Sequence, residues 1–382
     1  MNDAYIISAV RTPVGRRNGA LSRTHPADLS AAVISEAVRR SRVDPEIIDD
    51  VYWGCVDQVG AQSFNIARTA LLSAGLPERV PGTTIDRQCG SSQQAIHFAA
   101  QAVMSGSCDV VIAGGVEVMS LVPLSSSTSA GEQLGYGSPL EGQRWLERYA
   151  KQEINQFNGA ELIAQKWNIS RDDMQVFALE SHRRAAAAQD EGRFIEEILS
   201  VDGCDSDEAI RRDSSMSKMD SLSVLREGGR ITAALASQIA DGAAALTIAS
   251  GSIIEAEGLT PLARIHALAV EGSDPVLMLT GPIAATIKVL RRGSLKLSDI
   301  DRFEVNEAFA SVVIAWARET GASLDRTNVN GGAIALGHPL GATGARLMTS
   351  LVYDLKRTRS RYGLQTMCEG GGMANATIIE AL

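Results

Sequence analysis

Two cysteines, an asparagine and a histidine, each beside a glycine or a helix start, are the residues whose types point to joint chemistry. Cys89 stands in Asp86-Arg87-Gln88-Cys89-Gly90-Ser91, Asn306 in Val305-Asn306-Glu307, His338 in Gly337-His338-Pro339, and Cys368 in Cys368-Glu369-Gly370-Gly371-Gly372. A thiolate is a nucleophile, and a neutral imidazole is suited to take its proton near neutral pH. A second thiol can shuttle a proton as acid and base. Backbone N–H groups at Cys89 and at the Gly370 turn can hold a developing oxyanion. Together these groups form a kit for making or breaking a carbon–carbon bond beside a thioester. Each also has a plain structural reading. Cys89 and Cys368 could be small buried hydrophobes, Asn306 a cap for a helix starting at Glu307, and His338 a turn residue.

The elements that must position these residues alternate between strand and helix. Gly82-Thr83-Thr84-Ile85 is β-branched and strand-like. Ala95, Phe98, Ala99, Ala102 and Val103 then fall on one helical stripe that Gly106 ends. Cys89 is thus expected at a helix N-terminus, where the dipole would lower a thiol pKa that is about 8.5 in free cysteine. Strands are expected over 4–10, 51–56, 109–113, 243–249, 263–270, 302–306 and 362–368, and helices over 27–40, 65–74, 282–292, 308–320 and 342–357. The pattern is α/β with a layered sheet.

Between these blocks the composition changes. Ser125-Ser126-Ser127-Thr128-Ser129 marks loop, and the stretch to Arg230 has helical rather than strand periodicity. Its strongest helix spans 171–189, opened by Ser170 with Asp173 in the capping-box position. The expected organisation is an N-terminal half over 1–119 completed by 237–258, an insertion over 120–236, and a C-terminal half over 259–382. The second half repeats the order of the first: a reactive-type residue at a turn, a helix, a strand, then glycines. This points to duplicated halves with their two turns facing each other.

At 382 residues the chain exceeds the size at which one core stops growing. Its 36 basic and 45 acidic side chains give a net charge of -9, which argues against nucleic acid or an anionic membrane surface as the main partner. The five cysteines are scattered, with no Cys-x-x-Cys and no zinc spacing, as suits a reducing cytoplasm. The N-terminus has neither part of a signal peptide, and no apolar run reaches the length of a membrane span. The Gly331–Gly337 run lacks the Gly-Lys-Ser/Thr ending of a P-loop. His25, His97, His182 and His266 show no metal spacing, and His97 and His182 read as packed or surface side chains.

Along its whole length the sequence resembles the thiolases. The motifs that carry the resemblance are Asp86-Arg87-Gln88-Cys89-Gly90-Ser91 and Val305-Asn306-Glu307-Ala308-Phe309-Ala310. Asn330-Gly331-Gly332-Ala333-Ile334-Ala335-Leu336-Gly337-His338-Pro339 and Cys368-Glu369-Gly370-Gly371-Gly372 complete them. The resemblance implies two similar five-stranded α/β halves in an αβαβα layering, an inserted loop domain, and a homodimer or homotetramer. It implies ping-pong acyl transfer in a bacterial cytoplasm, with coenzyme A as substrate and no permanently bound cofactor or metal. By motif, Cys89 would accept the acyl group, His338 would activate it, and Cys368 would move the proton at the acetyl carbon. His338 would form one oxyanion hole with a water held by Asn306, and the amides of Cys89 and Gly370 would form the other. Coenzyme A would lie on the insertion near Arg211, Ser237, Ala233, Gln156 and Phe309.

Two positions depart from the common pattern: Glu369 between the second cysteine and its glycines, and Asn155-Gln156-Phe157 where short-chain members carry a His-Met pair. With the Asp-Arg-Gln-Cys start, they make the chain most similar to degradative thiolases of bacterial steroid catabolism. The rival readings are a biosynthetic acetoacetyl-CoA thiolase, a ketosynthase-like condensing enzyme, and a non-catalytic acyl-CoA or lipid-binding protein of the same fold. Ketosynthases tend to use histidine where Cys368 stands.

Overall fold

The computed structural model describes residues 3–150 and 152–382. The first half runs β1 (Ala4–Arg11), β2 (Gly15–Arg16), α1 (Pro26–Ser41), β3 (Asp50–Gly54), α2 (Ile66–Ser73), β4 (Gly82–Ile85), α3 (Ser91–Ser105) and β5 (Val110–Val118). The insertion carries α4 (Ser126–Gln133), α5 (Gln143–Tyr149), α6 (Gln156–Lys166), α7 (Arg171–Asp190) and α8 (Met216–Asp220). The chain then returns through β6 (Ala240–Ser250) and α9 (Gly251–Glu257). The second half is β7 (Ala263–Gly272), α10 (Gly281–Arg292), β8 (Arg302–Val305), α11 (Ala310–Thr320), α12 (Ala333–Leu336), α13 (Leu340–Thr358), β9 (Tyr362–Glu369) and β10 (Met373–Ala381).

The strands lie in the order β4-β3-β5-β6-β1-β7-β10-β9-β8, with β2 beside β6. In the first half β4, β3 and β5 are parallel, whereas β6 runs antiparallel to both β5 and β1. The second half repeats this: β8 is parallel to β9, and β10 is antiparallel to β9 and β7. The position matching β4 is reduced to one parallel bridge, Phe303 with Thr327. The ladder stops there because Asn328 turns into left-handed backbone at φ 49°. The halves join where Tyr5 pairs with Arg264 and Ile6 with Ala263.

Burial sets the layers. Leu29, Val33 and Ile34 of α1 and Ile66 and Leu71 of α2 cover one outer face, and Ala285, Val289, Val313 and Trp316 of α10 and α11 cover the other. Each outer layer buries a tryptophan whose indole N–H is satisfied, Trp53 by Ser30 Oγ at 3.1 Å and Trp316 by Thr286 Oγ1 at 2.9 Å. Between the halves α3 and α13 lie against each other through Ile96, Ala99, Val103, Ala345, Met348 and Leu351. They approach so closely that a Cβ at Gly344 would overlap the backbone of Gln93. These two central helices begin just after Cys89 and His338, so their packing brings the two turns to one end of the molecule.

In the insertion, α7 starts at the expected capping box. Asp173 N–H donates to Ser170 Oγ at 3.0 Å, and Ser170 N–H donates to Asp173 Oδ2 at 3.1 Å. Ala160, Ile163 and Ala164 of α6 and Met174 and Ala178 of α7 share one apolar cluster with Phe309, Ile314 and Cys368. The insertion is thereby seated on the second half, above the second thiol. The strand β10 was not among the expected elements. It is buried along nearly its whole length, and its polar Asn375 and Thr377 bond to Gln94 and His97 of α3, which hides the strand signal.

Candidate active site

The turn bearing Cys89 is tied down on both sides. Asp86 Oδ1 accepts from Gln88 N–H at 2.7 Å, and Ser91 Oγ accepts from Arg87 N–H at 2.9 Å while donating to Gln88 O at 2.6 Å. Gln88 is held at φ 50°, a left-handed conformation uncommon for a residue with a side chain. Such strain immediately before a reactive-type residue is a mark of functional turns. Gly90 is the N-cap of α3, so Cys89 lies one residue outside the helix.

The expected lowering of the Cys89 pKa is overturned. Burial first, and the negative charge of Glu369 second, push the thiol up to about 12. The backbone N–H groups of Cys89 itself and of Gly370 act on the sulfur in the opposite sense, favouring the thiolate. These are the two amides singled out from the sequence. Removal from water outweighs a helix terminus whose first turn starts beyond the cysteine.

Cys368 occupies the end of β9, paired with Ala374 of β10, and is fully buried. Burial and the facing Cys89 hold its pKa well above that of an ordinary thiol, which keeps it protonated. The side chain of Cys89 packs against Val56, Met119 and Leu340, and Leu340 lies two residues beyond His338.

His338 is buried, and its N–H donates to Gln238 O at 3.0 Å. Burial first, and the charge of Arg346 second, press its pKa down to about 3, so the imidazole is neutral. Nδ1 is 2.6 Å from Thr343 Oγ1, and Nε2 is 3.4 Å from Asn306 Nδ2. Asn306 does not cap a helix, because α11 begins at Ala310 with Phe309 as its N-cap. Its N–H donates to Thr366 O at 3.1 Å, and its Oδ1 is buried without a partner among the described residues.

The residues expected near coenzyme A are spread along the insertion and its seat. Phe309 is buried beside Cys368 in the apolar cluster, and Phe157 lies edge-to-face on it with ring centroids 5.7 Å apart. Gln156 opens α6, Ala233 is exposed, and Ser237 N–H donates to Ala308 O at 2.9 Å. Arg211 is farther out. Its guanidinium reaches Gln238 Oε1 at 3.3 Å, and it lines a cavity of about 1350 Å³ along α7 and α11. That cavity is lined by none of Cys89, Asn306, His338 and Cys368. His182 and His97 are packed side chains, with His182 Nδ1 accepting from Arg211 N–H at 3.1 Å. Among the described residues no group of His, Cys, Asp and Glu is arranged to hold a metal ion.

Two positioning residues escaped the sequence reading. Thr343 shows no signal beyond lying in the first turns after His338. Glu117 is an acid inside the buried strand β5, and that misfit was the available signal. Its carboxylate accepts from the N–H groups of Val56 at 3.0 Å, Asp57 at 3.1 Å and Gly341 at 2.8 Å, and from Gln62 Nε2 at 2.6 Å. It therefore clamps the loop after β3 to the start of α13, next to His338.

Residues 4–252 match the model described as thiolase, N-terminal domain, and residues 259–381 match thiolase, C-terminal domain. The chain belongs to the thiolase family. This thiolase is 55% identical to a steroid 3-ketoacyl-CoA thiolase of Mycobacterium tuberculosis, across 100% of this chain and 95% of the relative. It is 44% identical to a beta-ketoadipyl-CoA thiolase of Escherichia coli, across 100% of both chains. Its fold matches that of human mitochondrial 3-ketoacyl-CoA thiolase with a TM-score of 0.90 at 35% identity, covering 100% of this chain and 99% of the human one. The same human enzyme in complex with CoA matches with a TM-score of 0.89 at 34% identity, covering 100% and 98%. The thiolase fold and the acyltransferase class expected from the motifs are thus established. No helix among the described residues is long and apolar enough to cross a membrane.

Proposed function

We propose that this thiolase cleaves a 3-oxoacyl-CoA with free coenzyme A, passing the acyl group through a thioester on Cys89. The feature that carries this reading is the turn of Cys89, where its own N–H and the Gly370 N–H favour the thiolate and the buried, protonated Cys368 is near enough to feel its charge. His338, neutral and hydrogen-bonded through Nδ1, takes the Cys89 proton, and the thiolate attacks the 3-keto carbon. The amides of Cys89 and Gly370 hold the resulting oxyanion. When the carbon–carbon bond breaks, its electron pair leaves on the acetyl fragment as an enolate. His338 and a water bound by Asn306 steady that enolate, and Cys368 donates the proton that completes acetyl-CoA. Coenzyme A, giving its thiol proton to the Cys368 thiolate, then attacks the acyl-cysteine; Cys89 leaves as the thiolate, regains its proton from His338, and the shortened acyl-CoA is released.

The substrate we favour is a bulky, ring-bearing acyl chain. The high identity to a steroid 3-ketoacyl-CoA thiolase supports it, as does Phe309, which is clustered with Cys368 and carries the exposed Phe157 ring edge-to-face. Coenzyme A would approach along Gln156, Ala233, Ser237 and Arg211 with no resident cofactor, in a homodimer or homotetramer in a bacterial cytoplasm. The division into 1–119 with 237–258, 120–236 and 259–382 is part of the same proposal.

Mass spectrometry of the enzyme mixed with a 3-oxoacyl-CoA tests the central step. An acyl adduct should map to Cys89 and vanish in Cys89→Ala, and an adduct surviving in that variant overturns the reading. Thiolysis should be faster with a ring-bearing 3-oxoacyl-CoA than with acetoacetyl-CoA, and the reverse preference defeats the substrate assignment.

A further inference from the structure

The steps above give Glu369 no task, although it stands between Cys368 and Gly370. Side chains alternate along a strand, so at the end of β9 Glu369 points away from the face that carries Cys368. It points toward the turn of the nucleophile. Its carboxyl lies against Gly90, where a Cβ would overlap Oε1. The side chain is fully buried, and no side chain among the described residues hydrogen-bonds either oxygen, the Asn375 N–H of β10 being near enough only to favour the carboxylate weakly.

The charged and titratable surroundings are sparse. From the loop before α3 come Asp86, Arg87 and Cys89. Arg87 is a cation whose attraction favours the carboxylate, yet it makes no ion pair among the described residues, and its Nη1 lies 3.8 Å from Met373 Sδ. From α3, Gln94 is uncharged and His97 is pressed down to about 3, hence neutral; both bond to Asn375 of β10. Asp274, near Gly372, turns its carboxylate to Val276 N–H at 2.7 Å. On its own strand the neighbour is Cys368. A bare carboxylate in such a place is strongly disfavoured relative to the neutral acid. Burial accordingly pushes Glu369 up to about 8 against the pull of Arg87 and of the Asn375 N–H.

We propose that Glu369 is a positioning acid for the nucleophile: protonated, it leaves the Cys89 thiolate unopposed, and ionised, it repels that thiolate and slows acylation. This role rests on Cys89 being the acyl acceptor of the proposed function. Coupling between the groups is reciprocal, so a thiolate on Cys89 holds the proton on Glu369 more firmly, and loss of that proton makes the thiolate harder to form. A cysteine without such a neighbour reacts faster as pH rises, until it is fully ionised. Here the rise is cut short once Glu369 loses its proton.

The test is alkylation of Cys89 by iodoacetamide, followed by peptide mass spectrometry from about pH 6 to about pH 10, in the wild type and in Glu369→Gln. The wild-type rate should bend over near the Glu369 transition. The Gln variant should rise without a bend and react roughly tenfold faster at about pH 9, the effect of about one pKa unit. Superimposable profiles overturn the proposal. Should the variant fail to fold, infrared difference spectroscopy of the wild type against Glu369→Asp isolates this acid from Glu117 and Glu304, whose bands are common to both. A buried carboxylic-acid band present at neutral pH and lost above about pH 8 should shift in the Asp variant, and a difference spectrum with no such titrating band also overturns it. Neither readout requires coenzyme A. An enzyme inert in thiolysis that still shows the bend refutes the proposed function while supporting the role of Glu369, and an active enzyme with superimposed profiles refutes the role of Glu369 alone.

Discussion

His338 Nδ1 lies 2.6 Å from Thr343 Oγ1, and the same hydroxyl donates its proton to Pro339 O at 2.8 Å. With that proton committed, the hydroxyl oxygen accepts from Nδ1–H, and the lone pair of the imidazole sits on Nε2. Thr343→Val keeps the shape and removes the lock. Turnover in thiolysis should fall about tenfold, the worth of one buried hydrogen bond of about 1.4 kcal/mol, and Thr343→Ser should recover most of it. A Val variant with unchanged turnover would show that the tautomer is set elsewhere.

Cys368 is protonated and faces Cys89, so its removal should stop proton delivery to the acetyl fragment without disarming the nucleophile. Cys368→Ala should lose about 10²- to 10⁴-fold in thiolysis and in exchange of the α-hydrogens of acetyl-CoA with solvent deuterium. Alkylation of Cys89 should continue. Exchange at the wild-type rate would remove Cys368 from the proton path.

Glu117 joins β5 to the loop after β3 and to the start of α13 by accepting from Val56, Asp57, Gln62 and Gly341. In Glu117→Gln an amide NH₂ must face donors that had a carboxylate oxygen. Urea unfolding should show a loss of about 2–3 kcal/mol, and turnover should drop because Gly341 directly follows the His338-Pro339-Leu340 segment. An unaltered unfolding midpoint would contradict this.

Stability should depend on pH with a sign fixed by the buried groups. His338 and His97 are pressed from 6.5 to about 3, and His182 to about 4, so their contribution is complete above about 6.5 and is lost as pH falls toward those values. Glu117 is raised from 4.5 to about 7, and Glu304 and Glu369 to about 8, so their contribution is complete below about 4.5 and is lost as pH rises toward those values. Above about 6.5 the histidines no longer titrate in either state, and the raised buried acids set the slope. The urea midpoint should therefore fall between about pH 6.5 and pH 8.5, and Glu304→Gln should flatten part of the decline. A rising midpoint over that range would refute this account.

Much of this architecture could be read from residue order. Alternating strand and helix signals, the capping box at Ser170 and the four motifs, three of them glycine-flanked, led to the layered fold and to the residues its turns bring together. What stayed hidden depends on burial, which residue type alone does not reveal. The Cys89 pKa moves upward because removal from water and Glu369 outweigh the dipole of a helix that starts beyond it. β10 was missed because its Asn375 and Thr377 look like loop residues until α3 supplies their partners. Thr343 and Glu117 act through hydrogen bonds to turns distant in sequence or about one helical turn away, and no motif announces them.

The pairing of Cys89 with Gly370 also bears on how the protein is made. The amide that favours the thiolate belongs to the turn between β9 and β10, which the ribosome makes long after Cys89. A polypeptide still emerging from its ribosome thus carries a commonplace thiol with no second amide beside it. Closure of that turn raises no bare thiolate reactivity, since burial holds the thiol protonated; it sets a second amide beside the sulfur, so that birth and armament of the catalyst are separated in time.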